Sequence, residues 1–313
     1  MLNFQTVEIS QIEKPLFSHR FNRDDRPLKT SIQNFGLKTP PSLLFDKGKY
    51  HIIDGWARID ILNKMGKSQL GCIVYDASEM NHENAFHLCI ELNSWNRKFN
   101  VVEKALSLKT ALEIFGGLKV PKWFWQLVGI KENIKTIYQY KELLKLPPDV
   151  QKYAVNNNIT LSVILGFLKF PKTQIETLAH QLFVLPLNQN KLAEILALVL
   201  DISKRDEILP VKVMECAFEE VEKRNEFNAV QKEQLLRRIL HSKRNPFYET
   251  KLKEFDEKIK GLPLNKYTKI SPAPYFEDDY VEVNTKINSK KDLDDLVQIL
   301  QSEVWKELLV EED

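Results

Sequence analysis

The chain has 313 residues, 43% hydrophobic and 28% charged, with a formal net charge of +2 at pH 7. This length suits two or three domains, each with its own core. Because the net charge is low, the protein as a whole does not produce a positive electrostatic field that would attract nucleic acid. Cys72, Cys89 and Cys216 form no C-x-x-C pair, so neither a structural zinc site nor a disulfide is expected. No signal-peptide pattern or membrane-length apolar run is present, which predicts a soluble, intracellular protein.

Residues 1 to about 115 predict a mixed region of strands and helices. β-Favouring segments predict strands at 6–9, 42–45, 49–53 and 71–75, and apolar residues at helical spacing predict helices at 28–35, 81–92 and 101–115. The turn Asp46-Lys47-Gly48 is expected to join the second and third strands into a hairpin.

The segment from His51 to Gly66, HIIDGWARIDILNKMG, predicts a strand, a glycine turn and a helix. Unpaired N–H groups and the positive end of the dipole make such a helix start suited to anions. Arg58 would add a positive charge in the first turn, where only a nearby anion offsets its unfavourable position. The alternative is a tight turn with a surface arginine, and the short D-G-x-x-R motif taken alone favours that alternative.

A second candidate site lies between residues 93 and 105. Asn93 and Arg97 lie between the end of one predicted helix and the start of the next. Either they close a phosphate pocket, or they only stabilise the helix ends. Asn100 and Glu103 have the spacing of a capping box, and this structural role is the prediction for both residues.

From about residue 119 to 240 the sequence predicts helices and no strand. Residues 119–145 hold six lysines against Glu132 and Glu142, a net charge of +4 that can meet phosphate. Residues 123–144 predict two short helices joined at Gly129, with Ile134, Ile137 and Tyr138 facing the core of the second. This is the helix-turn-helix pattern, although most such corners bind nothing. The predicted DNA contacts are Lys131, Asn133, Lys135, Thr136 and Gln139.

The C-terminal segment predicts a helix at 251–259, a Pro-containing connector at 261–274, a strand at 280–287 and an amphipathic helix at 290–309. Residues 267–313 carry twelve acids against five lysines, a net charge of −7 that would repel phosphate. The strand and helix fit a dimer interface or a small independent core equally well.

Taken in order, these segments resemble the ParB family of partition proteins over roughly residues 5 to 200. The N-terminal resemblance is carried by Arg20, by residues 31–37 (SIQNFGL), by Thr39-Pro40-Pro41, by the glycine-arginine box Gly55-Trp56-Ala57-Arg58 and by residues 93–105. The later resemblance is carried by the leucine-rich run 143–151 and by residues 158–162.

The resemblance implies three parts: an α+β ParB/sulfiredoxin-like domain at 1–115, an all-α helix-turn-helix domain at 116–240, and an acidic α/β module at 241–313. It implies a nucleotide site formed by Arg20, Thr39, Gly55, Trp56, Arg58, Asn93 and Arg97. It further implies that CTP with Mg²⁺ is the ligand and that double-stranded DNA is a partner. The protein would form a homodimer that closes around the DNA and would work with a partner ATPase. Its role would be plasmid or chromosome partition, in the cytoplasm and in association with the nucleoid.

Two departures from the family pattern qualify this expectation. The usual G-E-R-R box keeps only Gly55 and Arg58, and the metal-holding Glu of the second box corresponds to Leu92, with Glu91 one residue early. One residue on a helix turns a side chain by about 100°, so we expect weak or absent CTP hydrolysis. Trp56 stands where sulfiredoxin has its cysteine, which disfavours that chemistry. The alternatives are a nuclease or small-molecule kinase on the same fold, or an adaptor without nucleotide or DNA.

Overall fold

The computed structural model describes residues 3–117, 119–260, 262, 264, 267–273 and 280–305. The chain forms two compact units, Met1–Leu196 and Ala197–Asp313. The division into three domains at residues 115 and 240, which was inferred from the sequence, stays a prediction.

The first unit begins with a mixed five-stranded sheet. Its strands are β1 (Asn3–Glu8), β2 (Ile12–Pro15), β3 (Ser42–Asp46), β4 (Lys49–Asp54) and β5 (Gln69–Asp76). Their order is β1-β5-β3-β4-β2. β1–β5 and β3–β4 are antiparallel, whereas β3–β5 and β2–β4 are parallel. β4 is hydrogen-bonded to β2 on one side and to β3 on the other. The sheet therefore fixes the position of Asp54, where the turn begins.

Helices α1 (Arg26–Phe35), α2 (Trp56–Lys64) and α3 (His82–Asn96) pack around this sheet. β5 buries alternate residues, as the period of a strand requires. Its buried side chains form one core with residues from the other strands and from α1 and α2, namely Val7, Ile32, Leu43, Ile52, Ile59, Ile61, Leu62, Leu70, Cys72 and Val74. α3 packs against β4 and buries Ala85, Phe86, Cys89 and Ile90 completely.

The rest of the first unit is helical. It comprises α4 (Val101–Ile114), α5 (Lys122–Val128), α6 (Ile134–Leu143), α7 (Pro148–Asn156), α8 (Leu161–Ile164), a 3₁₀ turn (Leu165–Lys169), α9 (Lys172–Phe183) and the start of α10 (Gln189–Asp206). α4 contacts α5, α6 and α7, so one helix connects the sheet domain with the helix-turn-helix candidate. The predicted Asn100–Glu103 capping box opens α4.

The second unit holds the end of α10, then α11 (Pro210–Glu222), α12 (Ala229–Arg244), α13 (Pro246–Ile259), β6 (Lys269–Pro272), β7 (Val281–Asn284) and α14 (Lys290–Leu300). β6 and β7 form an antiparallel pair. Phe255, Leu262, Ile270 and Ile299 make a small core between these elements.

The predicted fold class is confirmed: an α+β region is followed by helices and then by a small α/β segment. Within residues 119–240, all described, only helices and turns occur. The structure corrects three details. β2 and β6 were not predicted, because neither short strand has a clear apolar alternation and each contains a proline. α14 ends at Leu300, residues 301–303 interrupt the predicted helix, and the predicted portion beyond residue 305 lies outside the described residues.

Candidate functional site

A cavity of about 710 Å³ opens where β4 runs into α2. This volume lies within the range of about 300–1,000 Å³ that ligand pockets occupy. Its wall is formed by Lys14, Pro15, Phe17, Ser18, His19, Arg20, Leu28, Ile52, Ile53, Asp54, Gly55, Trp56, Ala57, Arg58, Leu92, Asn93 and Arg97. Six of the seven predicted nucleotide-binding residues therefore meet at one cavity. Thr39, the seventh, is absent from its lining, but its carbonyl oxygen accepts a hydrogen bond from Arg58 Nη1 at 3.3 Å.

Gly55 makes the sharp turn at the base of this cavity. Its φ of 98° lies in the left-handed region, and it caps α2 without a side-chain hydrogen bond to the first N–H groups. A Cβ at this position would lie 2.8 Å from Arg58 Nη2 and 2.9 Å from Pro41 Cβ. Only glycine therefore fits at this position. The turn places the positive end of the α2 dipole and the Arg58 guanidinium at the same cavity.

A chain of hydrogen bonds joins the polar groups of the cavity. Asp54 Oδ2 accepts from Arg58 Nη2 at 2.5 Å, and Asp54 Oδ1 accepts from Asn93 Nδ2 at 3.0 Å. Asn93 Oδ1 then accepts from Arg97 Nη2 at 2.9 Å. Since Asn93 and Arg97 stand one turn apart at the end of α3, the helix itself sets their spacing. Both residues line the cavity, and their contact with a phosphate stays a prediction.

Glu103 anchors this chain from behind the cavity. Its carboxylate is fully buried and accepts from Arg97 Nη1 at 2.7 Å, from Arg23 Nε at 2.8 Å and from Asn100 N–H at 3.1 Å. Burial alone would raise the pKa of Glu103, but the hydrogen bond from Arg23 and the charge of Arg97 outweigh burial and hold it below its usual value. Sequence reasoning assigned Glu103 to capping only and did not single out Arg23.

The lowered pKa of Glu103 predicts a component of stability that is lost in acid. A carboxyl with a lowered folded-state pKa stabilises fully above its unfolded value near 4.5, and this contribution disappears as pH falls through the folded value. We expect the difference in free energy of unfolding between the wild type and Glu103→Gln to be constant above pH 4.5 and to shrink below it. Urea denaturation at a series of pH values measures this difference. A difference that stays the same from neutral pH down to the acid limit of folding would contradict the assignment.

Arg20 and Trp56 flank the mouth of the cavity. The Arg20 guanidinium carbon lies 5.8 Å from the centroid of the Trp56 ring and pairs with Asp25. Trp56 is 42% exposed, so one large aromatic surface stays open beside the cavity. An aromatic or heterocyclic ring could stack there while anionic groups approach Arg58 and Arg97.

His19 is a cavity residue that sequence reasoning missed. Burial, and then the charge of Arg97, lower the pKa of His19, so its ring is neutral at pH 7. Nδ1 of His19 lies 3.7 Å from Cys89 Sγ. The only sequence signal was the closeness of His19 to Arg20, because its partners come from α3, some 70 residues later.

The cavity has a cationic wall without a free carboxylate. Of the described residues that line it, Lys14, Arg20, Arg58 and Arg97 are cationic, and Asp54 alone is acidic. Asp54 is already bound by Arg58 and Asn93. Leu92 lines the cavity and Glu91 does not, as the expected rotation along the helix requires. Among the described residues, no group of three or more His, Cys, Asp and Glu side chains could hold a metal ion.

The predicted DNA-contacting residues lie on or beside α6. Lys131, Asn133 and Lys135 are exposed, whereas Thr136 and Gln139 are half-buried. Asn133 caps the helix, because its side-chain oxygen accepts from Thr136 N–H at 2.7 Å. The predicted core face of α6 was wrong for two residues: Ile137 is buried, but Ile134 and Tyr138 are exposed. The buried residues of α6 are Ile137, Tyr140 and Leu143.

These features define an α+β domain with a cationic cavity, followed by a helical region that presents a lysine-bearing helix. No protein-family model matches the chain, and no curated protein matches it. The chain is similar in structure to C-terminally truncated ParB, a chromosome-partitioning protein from Caulobacter crescentus, in two complexes. The complex with CTP-γ-S shares 20% identity with a TM-score of 0.27, over 56% of this chain and 98% of that one.

The second complex, with the centromeric parS site, shares 21% identity with a TM-score of 0.35, over 60% and 96% of the chains. A Pnob8-like ParB N-domain shares 17% identity with a TM-score of 0.37, over 57% and 82%. These matched structures carry the name of the family that the sequence resembles. Separately, no helix in the described part of the chain is long and apolar enough to cross a membrane.

Proposed function

We propose that this chain is a ParB-like DNA-binding protein of plasmid or chromosome partition, or of related DNA regulation, whose N-terminal cavity binds a nucleotide. The observation that carries the proposal is the meeting of Arg20, Gly55, Arg58, Asn93 and Arg97 at one cavity. The sequence places these residues in three separate segments, and the ParB resemblance assigns all of them to one ligand.

The cavity chemistry supports a phosphate-bearing ligand. Arg20, Arg58 and Arg97 are each paired with a carboxylate, but a guanidinium carries five N–H donors and can bind a phosphate as well. The start of α2, which has no side-chain cap, adds backbone donors. The exposed ring of Trp56 can hold a base at the mouth. CTP, the nucleotide that the resemblance implies, is therefore the first candidate.

The same chemistry does not fit Mg²⁺. Magnesium needs hard oxygen ligands, and the single carboxylate in the described lining is already held by Arg58 and Asn93. We therefore propose nucleotide binding without efficient hydrolysis. Here Asp54 orients Arg58 and Asn93, while Glu103 orients Arg97.

DNA binding is proposed through α6 and the turn before it. Lys131 and Lys135 are exposed and would contact phosphates, and Gln139 would contact a base edge. The homodimer, the partner ATPase and the nucleoid-associated location belong to the same proposal, and they rest on the ParB resemblance alone.

Duplex-binding assays with α6 variants test the proposal. Lys135→Ala should weaken binding to every duplex and reduce the slope of log K against log salt by about 1, because about one phosphate contact is lost. Gln139→Ala should cost about 1–3 kcal/mol and relax specificity at one position. Lys29→Ala, an exposed lysine of α1, is the matched control and should change neither quantity.

Three outcomes would contradict the proposal. Unchanged binding in both α6 variants would remove α6 as the recognition helix. Nucleotide turnover without any dependence on DNA would favour an enzyme on this fold. Absence of binding to both DNA and nucleotide would favour an adaptor.

A further inference from the structure

Helix α6 exposes two large apolar side chains on the same face. Ile134 is 74% exposed and Tyr138 is 63% exposed, and they stand one turn apart. The helix has its own buried face at Ile137, Tyr140 and Leu143, so neither residue is needed for the core. Single exposed apolar residues are ordinary on a protein surface. Two adjacent ones form a small apolar patch, which is a candidate binding surface.

The charge around this patch identifies the chemistry of the occupant. The segment that holds the pair carries four exposed lysines, at 131, 135, 141 and 145, against two acids. Glu142 is paired with Lys145, and Glu132 is exposed in the turn before the helix, which leaves the segment with a net positive charge. An apolar pair framed by lysines fits a polyanion that also presents apolar groups between its charges.

Thymine in the major groove of DNA has these properties. Its C5 methyl group lies on the groove floor between two rows of phosphates, and apolar side chains read it by contact. A recognition helix contacts base edges with its N-terminal residues, and Ile134 is the first residue of α6. Asn133, one residue earlier, already uses its side-chain oxygen to cap the helix.

We infer that Ile134 reads a thymine methyl group, with Tyr138 packing beside it against the groove, and that this apolar pair contributes to DNA specificity. The inference rests on the proposed DNA binding and adds to it the kind of base that is read. Lys131, Lys135 and Lys141 then hold the helix against the phosphates without selecting the sequence.

The test combines protein variants with altered DNA. A duplex is first enriched from a random library with the wild-type protein, and each thymine is then replaced by uracil, which removes only the methyl group. We expect uracil at one or two positions to weaken wild-type binding about fourfold, as loss of one buried methyl group should. Ile134→Ala should bind the thymine duplex roughly tenfold more weakly and should no longer distinguish uracil from thymine there.

Val184→Ala is the matched control, because Val184 is 72% exposed on the same unit and lies outside α6. It should behave as the wild type. Ile134→Ala should fold normally, since the position is exposed and alanine favours helix.

A uracil penalty that persists in Ile134→Ala overturns the inference while DNA binding stands. A variant with unchanged DNA affinity but altered oligomeric state also overturns it, in favour of a protein interface. Failure of the wild type to enrich any duplex overturns both proposals.

Discussion

Replacing Glu103 by alanine is expected to lower the free energy of unfolding by about 3 kcal/mol. Loss of one partner from a buried ion pair costs about 3–5 kcal/mol, because the other charge stays desolvated without a counter-ion. Here Arg23 and Arg97 both lose their counter-ion, but their side chains are 28% and 24% exposed and retain some water. The lower end of the range therefore applies. The N-terminal cap of α4 also loses its reciprocal hydrogen bond.

Urea denaturation followed by circular dichroism measures this loss. Glu13→Ala is the matched control, because Glu13 also pairs with a cation, Lys49, but the two side chains are 44% and 62% exposed. Exposed pairs contribute little, so its denaturation midpoint should change little. If Glu103→Ala and Glu13→Ala unfold at the same urea concentration, the buried network does not stabilise the domain.

Glu103 also shows which part of the site is readable from sequence. The spacing from Asn100 to Glu103 predicted the capping box, and the structure contains it, because both residues belong to one helix turn. The ion pair with Arg23 joins residues 80 positions apart, and no local pattern encodes it. The strand–turn–helix at residues 50–66 was likewise predicted because its signals are local. The parallel pairing of β2 with β4 depends on the sheet as a whole.

Helix α6 shows how a periodic pattern can assign the wrong face. Apolar residues at 134, 137 and 138 have helical spacing, and so do those at 137, 140 and 143. Both sets contain Ile137, and hydrophobicity alone cannot separate them. Packing of α6 against α4 selects the second set and leaves Ile134 and Tyr138 in solvent. The error placed two surface residues in the core, and these residues now carry the inference about DNA specificity.

The largest expected effect on ligand binding comes from Gly55→Ala. Alanine at a φ of 98° costs about 1–3 kcal/mol in backbone strain. The added Cβ would also meet Arg58 and Pro41 below 3.0 Å, and Pro41 has little freedom to move. We expect the Arg58 guanidinium to be displaced from the cavity. Loss of one charge-assisted hydrogen bond costs about 1.5–3 kcal/mol, which corresponds to an affinity for CTP that is about 10- to 150-fold weaker.

Calorimetric titration with CTP, with and without Mg²⁺, measures the affinity, and thermal unfolding measures the strain. Gly66→Ala is the matched control at the other end of α2: its φ is 76°, and an added Cβ would meet nothing within 4 Å. Both variants should lose stability through the backbone, but only Gly55→Ala should lose the nucleotide. Equal affinity in the two variants would mean that the ligand does not use this turn. A wild type that binds no CTP would contradict the nucleotide assignment directly. Binding that needs Mg²⁺ would instead contradict the proposal that the cavity takes the nucleotide without the metal.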